Sequence, residues 1–142
     1  MVVSDHSPPP ATMRAMFSGD FTRAWAGISS LQLSLSVTWT GAAARRYSLN
    51  QVTDWMCRIP ARLAGLDRKG AIEPGYDADL VVFDPDAEFA VEAEALHQER
   101  HTPHIGSRLR GIVERTYLRR HRIYERGKAF EKPAGRVLAR NR

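Results

Sequence analysis

Met1-Val-Val-Ser-Asp-His-Ser-Pro-Pro-Pro10 decides how the rest of this 142-residue chain is read. Met1 to Val3 is an apolar, strand-like run that delivers Asp5 and His6 into a proline-rich loop. A strand this apolar is expected to be buried between neighbours on both sides. A carboxylate at the carboxyl end of such a strand lies where barrel enzymes keep their chemistry. Nothing precedes Met1 to supply a neighbour, so the chain is expected to open in the middle of a fold. Pro8-Pro-Pro10 cannot continue a sheet, because proline brings no backbone donor.

Beyond that loop, Asp20 is placed to cap a helix carrying Phe21, Ala24, Trp25 and Ile28 on one face, with Gly27 interrupting the pattern. Leu31, Leu33, Leu35 and Val37 alternate with polar residues, which suggests a strand, while Leu31 and Leu35 also fit a helix. Ser48-Leu-Asn-Gln51 is a capping box that opens a helix with Leu49, Val52, Trp55, Met56 and Ile59 on one face. Pro60 suits the first turn of a second short helix over 61–64, and Gly65 supplies its end.

After Gly65 the character changes to short strands. Asp79 to Phe83 reads as one, ended by Asp84-Pro85, and Phe89 to Val91 as another. Gly111 to Leu118 and Ile123-Tyr124 read as strands joined by a turn within Arg119-Arg-His-Arg122. Gly135 to Leu138 is a candidate last strand. The expected organisation is therefore a loop-and-helix unit over 1–66 and a strand-built unit over 67–142.

The hydrophobic content of 43% suffices for a packed core. No apolar run reaches the ~20 residues of a membrane span. Met1 lacks the basic and apolar regions of a secretory leader. A single cysteine, Cys57, allows no internal disulfide, which fits a reducing compartment, most simply the cytoplasm. Cys57 and the tryptophans Trp25, Trp39 and Trp55 read as core. Charge is uneven: residues 1–97 carry 8 basic and 12 acidic side chains (−4), and residues 98–142 carry 13 and 4 (+9). The basic residues alternate with apolar ones, so solvated strand faces are favoured over a nucleic-acid surface. His97, His101 and His104 have ligand-like spacing, but Pro103 breaks any helix that would bring them together.

Several stretches, in order and spacing, resemble the allantoinase family of cyclic amidohydrolases, relatives of dihydropyrimidinase and dihydroorotase. They are Val3-Ser-Asp-His-Ser-Pro8, Asp20-Phe-Thr-Arg-Ala-Trp-Ala-Gly-Ile-Ser-Ser-Leu-Gln32, Gly65-Leu66 and Lys69-Gly-Ala-Ile-Glu-Pro-Gly-Tyr-Asp-Ala-Asp-Leu-Val-Val-Phe-Asp84. Thr102-Pro103, Gly106, Leu109-Arg-Gly111 and Gly135-Arg136 continue the match. Two departures stand out: Pro9 replaces a usual cysteine, and Gln98-Glu99-Arg100 with Thr102-Pro103-His104 replaces an Arg-His-Lys and Ser/Thr-Pro-Tyr pattern.

The resemblance implies an α/β fold. It would be the C-terminal end of a (β/α)8 metal-dependent hydrolase barrel, its last strand and following helices, plus part of a small β-sandwich, incomplete as a fold. It implies a divalent metal, usually zinc, in a two-metal site whose other ligands lie outside this sequence. Asp5 matches the barrel's last metal-site carboxylate and would be both metal ligand and catalytic proton carrier. Ser7, Ala26 and Gly27 match substrate-binding positions, and His6 would orient Asp5 or lie near substrate. The expected substrate is a small cyclic ureide, allantoin, opened by water to allantoate, with the isolated chain inactive. Relatives are often homotetramers; no membrane or nucleic-acid partner is expected. The alternatives are dihydropyrimidinase- or dihydroorotase-like specificity, and a non-catalytic interaction remnant supported by the basic half and the apolar surface a missing barrel would leave bare.

Overall fold

A computed structural model of the chain describes residues 1–4, 6–8, 20, 22, 27–97, 102–128 and 133–138. A 3-10 turn at Leu31–Leu33 runs directly into helix α1, Ser34–Ala44. The helical alternative is the one realised for the ambiguous 31–37 stretch. Its apolar residues divide between two clusters. Leu33 and Val37 pack with Val91, Leu109, Phe89 and Leu96. Leu35, Trp39, Ala42 and Ala43 pack with Val52, Leu49, Trp55, Met56 and Phe83. A helix covered on two sides needs apolar residues on both, which erases the usual amphipathic signature.

Helix α2, Leu49–Thr53, opens with the expected capping box. The Ser48 hydroxyl accepts from Gln51 N at 3.3 Å, and Ser48 N donates to the Gln51 side chain at 2.8 Å. It continues through a π-helical segment, Asp54–Arg58, into α3, Ile59–Ala64, which ends on Gly65 in the left-handed conformation (φ 68°). Pro60 sits in the first turn of α3. The two helices expected here are thus one continuous rod with a π turn at the join. Trp55 meets Tyr47 edge to face at 5.0 Å. Cys57 is exposed rather than core; partial burial of its thiol pushes its pKa up.

Three antiparallel strands form one sheet in the order β1-β2-β3: β1 Leu80–Ala90, β2 Arg108–Leu118 and β3 His121–Glu125. Asp84-Pro85 does not end β1. The strand bulges there, between Asp84 opposite Ile112 and Glu88 opposite Arg110, and then resumes through Phe89. Asp84 Oδ1 accepts from Asp86 N and Ala87 N across the bulge. Among the described strands β1 lies at the edge of the sheet, so the missing donor of Pro85 breaks no ladder bond there. β2 and β3 turn through Arg119 and Arg120, both at positive φ (47° and 74°), as a two-residue hairpin of primed type requires. Residues 133–138, which include the candidate last strand, carry no strand.

The sheet and α1 share one seam. Gly111, at φ 96°, leaves room for Phe83 and Trp39; a Cβ there would fall 2.2 and 2.8 Å from their rings. Trp39 Nε1 donates to Pro85 O (2.8 Å), Ser36 Oγ to Gly111 O (2.7 Å), and Arg110 N to Thr40 Oγ1 (2.8 Å). Among the described residues no helix is long and apolar enough to cross a membrane.

Candidate active site

The residues around the expected site are built from two short segments lying side by side, 1–8 and 27–31. Met1 to Ser4 is not the buried strand expected: Met1 is 56% and Val3 65% exposed. It is nevertheless anchored. In the π segment, Ile59 N reaches back to Asp54 O, and Pro60 has no N–H to offer Trp55 O. That orphaned carbonyl accepts from Val2 N at 2.9 Å.

His6 bridges Ile28 in parallel fashion, and Ser7 N donates to Ile28 O at 3.2 Å. Gly27 lies directly under Ser7: a Cβ on residue 27 would fall 2.2 Å from Ser7 O and 2.7 Å from Ser7 Cβ. Two of the residues expected to contact substrate, Ser7 and Gly27, are therefore brought together. The other two site residues, Asp5 and Ala26, lie outside the described residues, as do His101 and most of the helix expected after Asp20. Asp20 Oδ1 accepts from Thr22 Oγ1 (2.6 Å) and Thr22 N (3.0 Å), which holds its carboxyl below the usual carboxylate range.

Two residues that are not among the motif's site positions complete this junction. Ser30 Oγ donates to Ser4 O at 2.7 Å, and the amides of Ser30 and Leu31 both donate to His6 Nδ1, at 3.1 and 3.2 Å. The available signal was Ser29-Ser30 ahead of the apolar run at Leu31, a helix-start pattern.

The acidic block of the loop before β1 performs a different task. Lys69 Nζ pairs with Asp77 (3.1 Å) and with Asp79, whose other oxygen accepts from Arg119 N at 2.8 Å. Partial burial raises the Asp79 pKa, but the Lys69 ammonium and the Arg119 amide outweigh it and hold the group below its ordinary value. The same pairing raises Lys69. These residues lock the loop to the β2–β3 turn; they form no reaction centre. Among the described residues no three His, Cys, Asp or Glu side chains converge to hold a metal. The described part of the chain does not supply a metal site by itself.

Residues 20–124 match the profile of the Amidohydrolase family. The chain belongs to that family. Allantoinase of Streptomyces avermitilis is 49% identical over 140 residues, 98% of this chain and 31% of that protein. Allantoinase of Arabidopsis thaliana is 41% identical over 131 residues, 90% of this chain and 26% of that protein. This amidohydrolase chain thus spans less than a third of the curated relatives it matches. In three dimensions it superimposes on D-hydantoinase (dihydropyrimidinase) from Thermus sp. with a TM-score of 0.82 and 25% identity, covering 94% of this chain and 30% of that one. D-hydantoinase from Bacillus sp. AR9 gives 0.77 at 29% identity, covering 85% and 27%. The α/β architecture is that of these enzymes, represented in part.

Proposed function

We propose that these 142 residues are the C-terminal end of an allantoinase: the last barrel strand and its helices over 1–66, then part of the β-sandwich over 67–142. The complete protein would hydrolyse a ring amide of allantoin to give allantoate. The observation that carries this reading is the 49% identity to an allantoinase across 98% of the chain, set against lower identities to hydantoinases of 25% and 29%.

Within that reading each residue has a chemical task. Asp5 accepts the proton of the attacking water and returns it to the departing ring nitrogen, work suited to a fixed carboxylate. Ser7 and the peptide of Ala26-Gly27 hydrogen-bond the ureide. Gly27 lets residue 7 lie close against its backbone, since a Cβ there would meet Ser7 O at 2.2 Å. The divalent metal ions, zinc by family resemblance, would use Asp5 with donors supplied from outside this sequence. The protein would work in the cytoplasm, on a small cyclic ureide, as a homo-oligomer.

The test is a chimera in which this chain replaces the corresponding end of the Streptomyces avermitilis allantoinase. Allantoin hydrolysis that is lost in Asp5→Asn supports the proposal. Activity on dihydropyrimidines in place of allantoin would move the assignment to the hydantoinase branch. The isolated chain is expected to turn over neither substrate, with or without added zinc. Turnover by it that disappears in Asp5→Ala would refute the partial-enzyme reading.

A further inference from the structure

The helix that begins at Leu31 lacks an ordinary cap. Ser30 occupies the N-cap position, yet its side chain makes no capping bond to its own helix. Its hydroxyl is turned away and donates to Ser4 O (2.7 Å). The capping acceptor comes instead from the opposite segment: His6 Nδ1 takes the amides of Ser30 (3.1 Å) and Leu31 (3.2 Å). The two segments have exchanged groups. The helix start sends a hydroxyl to residue 4, and residue 6 sends an imidazole nitrogen to the helix start.

We infer that His6 is a positioning residue, held as the Nε2–H tautomer, whose Nδ1 caps the 31–44 helix and fixes the Ser4–Ser7 junction against it. The tautomer follows from the bonds. A nitrogen that accepts two N–H groups carries no proton of its own, so in the neutral ring the proton is on Nε2. The positioning follows from topology. Ser4 and His6 are the two sequence neighbours of residue 5, and both are tied to the same helix start, 24 to 26 residues away along the chain. The consequence for catalysis, that this clamp aims Asp5, rests on the reading of Asp5 proposed above; the clamp itself does not.

The test uses the intact 142-residue chain at pH 8. Long-range proton–nitrogen spectra of the His6 ring are expected to show a protonated Nε2 and a bare Nδ1. His6→Asn places an acceptor close to the Nδ1 position, whereas His6→Gln places it near Nε2. Amide exchange at Ser30 and Leu31 should therefore accelerate about tenfold in His6→Gln and His6→Ala and stay within about twofold of the parent in His6→Asn, the scale expected when a capping bond is lost or kept. Exchange over 49–53 should not move in any variant. A protonated Nδ1 in the parent, or equal protection by Asn and Gln, overturns the inference. If a variant unfolds, the ring signature of the parent decides alone. Failure here leaves the chimera's response to Asp5→Asn untouched, and the reverse also holds.

Discussion

Gly27→Ala offers the sharpest perturbation of the junction between the two site segments. No positive φ is involved at residue 27, so alanine brings no backbone strain there and its whole effect is contact. The new methyl would lie 2.2 Å from Ser7 O, where ordinary contact begins near ~3.4 Å. Relief requires the two segments to separate by roughly 1 Å. The Ser7 N to Ile28 O bond already measures 3.2 Å, and the two amides on His6 Nδ1 lie at 3.1 and 3.2 Å. All three would stretch beyond useful hydrogen-bond length. At about 0.5–1.5 kcal/mol each, their loss amounts to roughly 1.5–4.5 kcal/mol of local stability. Amide exchange at Ser7, Ser30 and Leu31 should accelerate by roughly 10- to 2000-fold, while Val52 and its helix stay protected. In the allantoinase chimera a displacement near 1 Å beside the reacting group should lower kcat/KM on the order of 100-fold. Unchanged exchange at those three amides would refute the reasoning, because the methyl would then have found room that the geometry denies.

Gly111→Ala tests the seam between helix and sheet. A residue with a Cβ at φ 96°, driven into Phe83 and Trp39, should lose about 2–5 kcal/mol, combining backbone strain with overpacking. Urea unfolding followed by tryptophan fluorescence measures it, and a loss under ~1 kcal/mol contradicts the packing described. Asp79→Asn tests the loop lock. Because the folded pKa of Asp79 is depressed, its contribution to stability is present above the unfolded pKa near ~3.9 and disappears as pH falls through the lower folded value. The variant should be less stable by about 1–2 kcal/mol at neutral pH and should show a smaller loss of stability on acidification. Parallel acid-denaturation curves for parent and variant would count against the lock.

How much of this is legible in the sequence depends on how local each signal is. The Ser48–Gln51 box and the Gly65 stop involve partners within a few residues, and both are realised as read. The 31–37 alternation was ambiguous because α1 is covered on two sides, and only the sheet's position decides which period matters. Asp84-Pro85 looked like a strand end since local rules treat proline as a breaker. Its tolerance follows from β1 being a sheet edge and from a bulge opposite Gly111, neither visible in one segment. At the site, the motif drew attention to Asp5, His6, Ser7 and Gly27 by resemblance. The contact of Ser7 with Gly27 and the exchange between Ser30 and His6 join residues more than 20 positions apart, beyond any local pattern.

The acidic loop and the small sheet lie far along the chain from Ser4 and His6, yet α1 connects them to that junction. The sheet grips that helix along its length: Trp39 Nε1 on Pro85 O, Ser36 Oγ on Gly111 O, Arg110 N on Thr40 Oγ1. Lys69, Asp79 and the Arg119 amide in turn fasten the loop before β1 to the hairpin. The start of the same helical run holds Ser4 and His6 through Ser30 and Leu31. A rigid helix transmits displacement at one end to the other, because its backbone bonds leave it little freedom to bend within a few turns. Freeing the sheet from α1 should therefore loosen the junction at residues 4–7 even though no sheet residue touches that junction in the bonds described. Gly111→Ala is the case that separates this from independent units. If the helix couples the two ends, Ser30 and Leu31 amides exchange faster in that variant along with Ile112 and Val113. If only the sheet amides respond, the helix is a passenger, and the sheet has no mechanical part in holding the junction at residues 4–7.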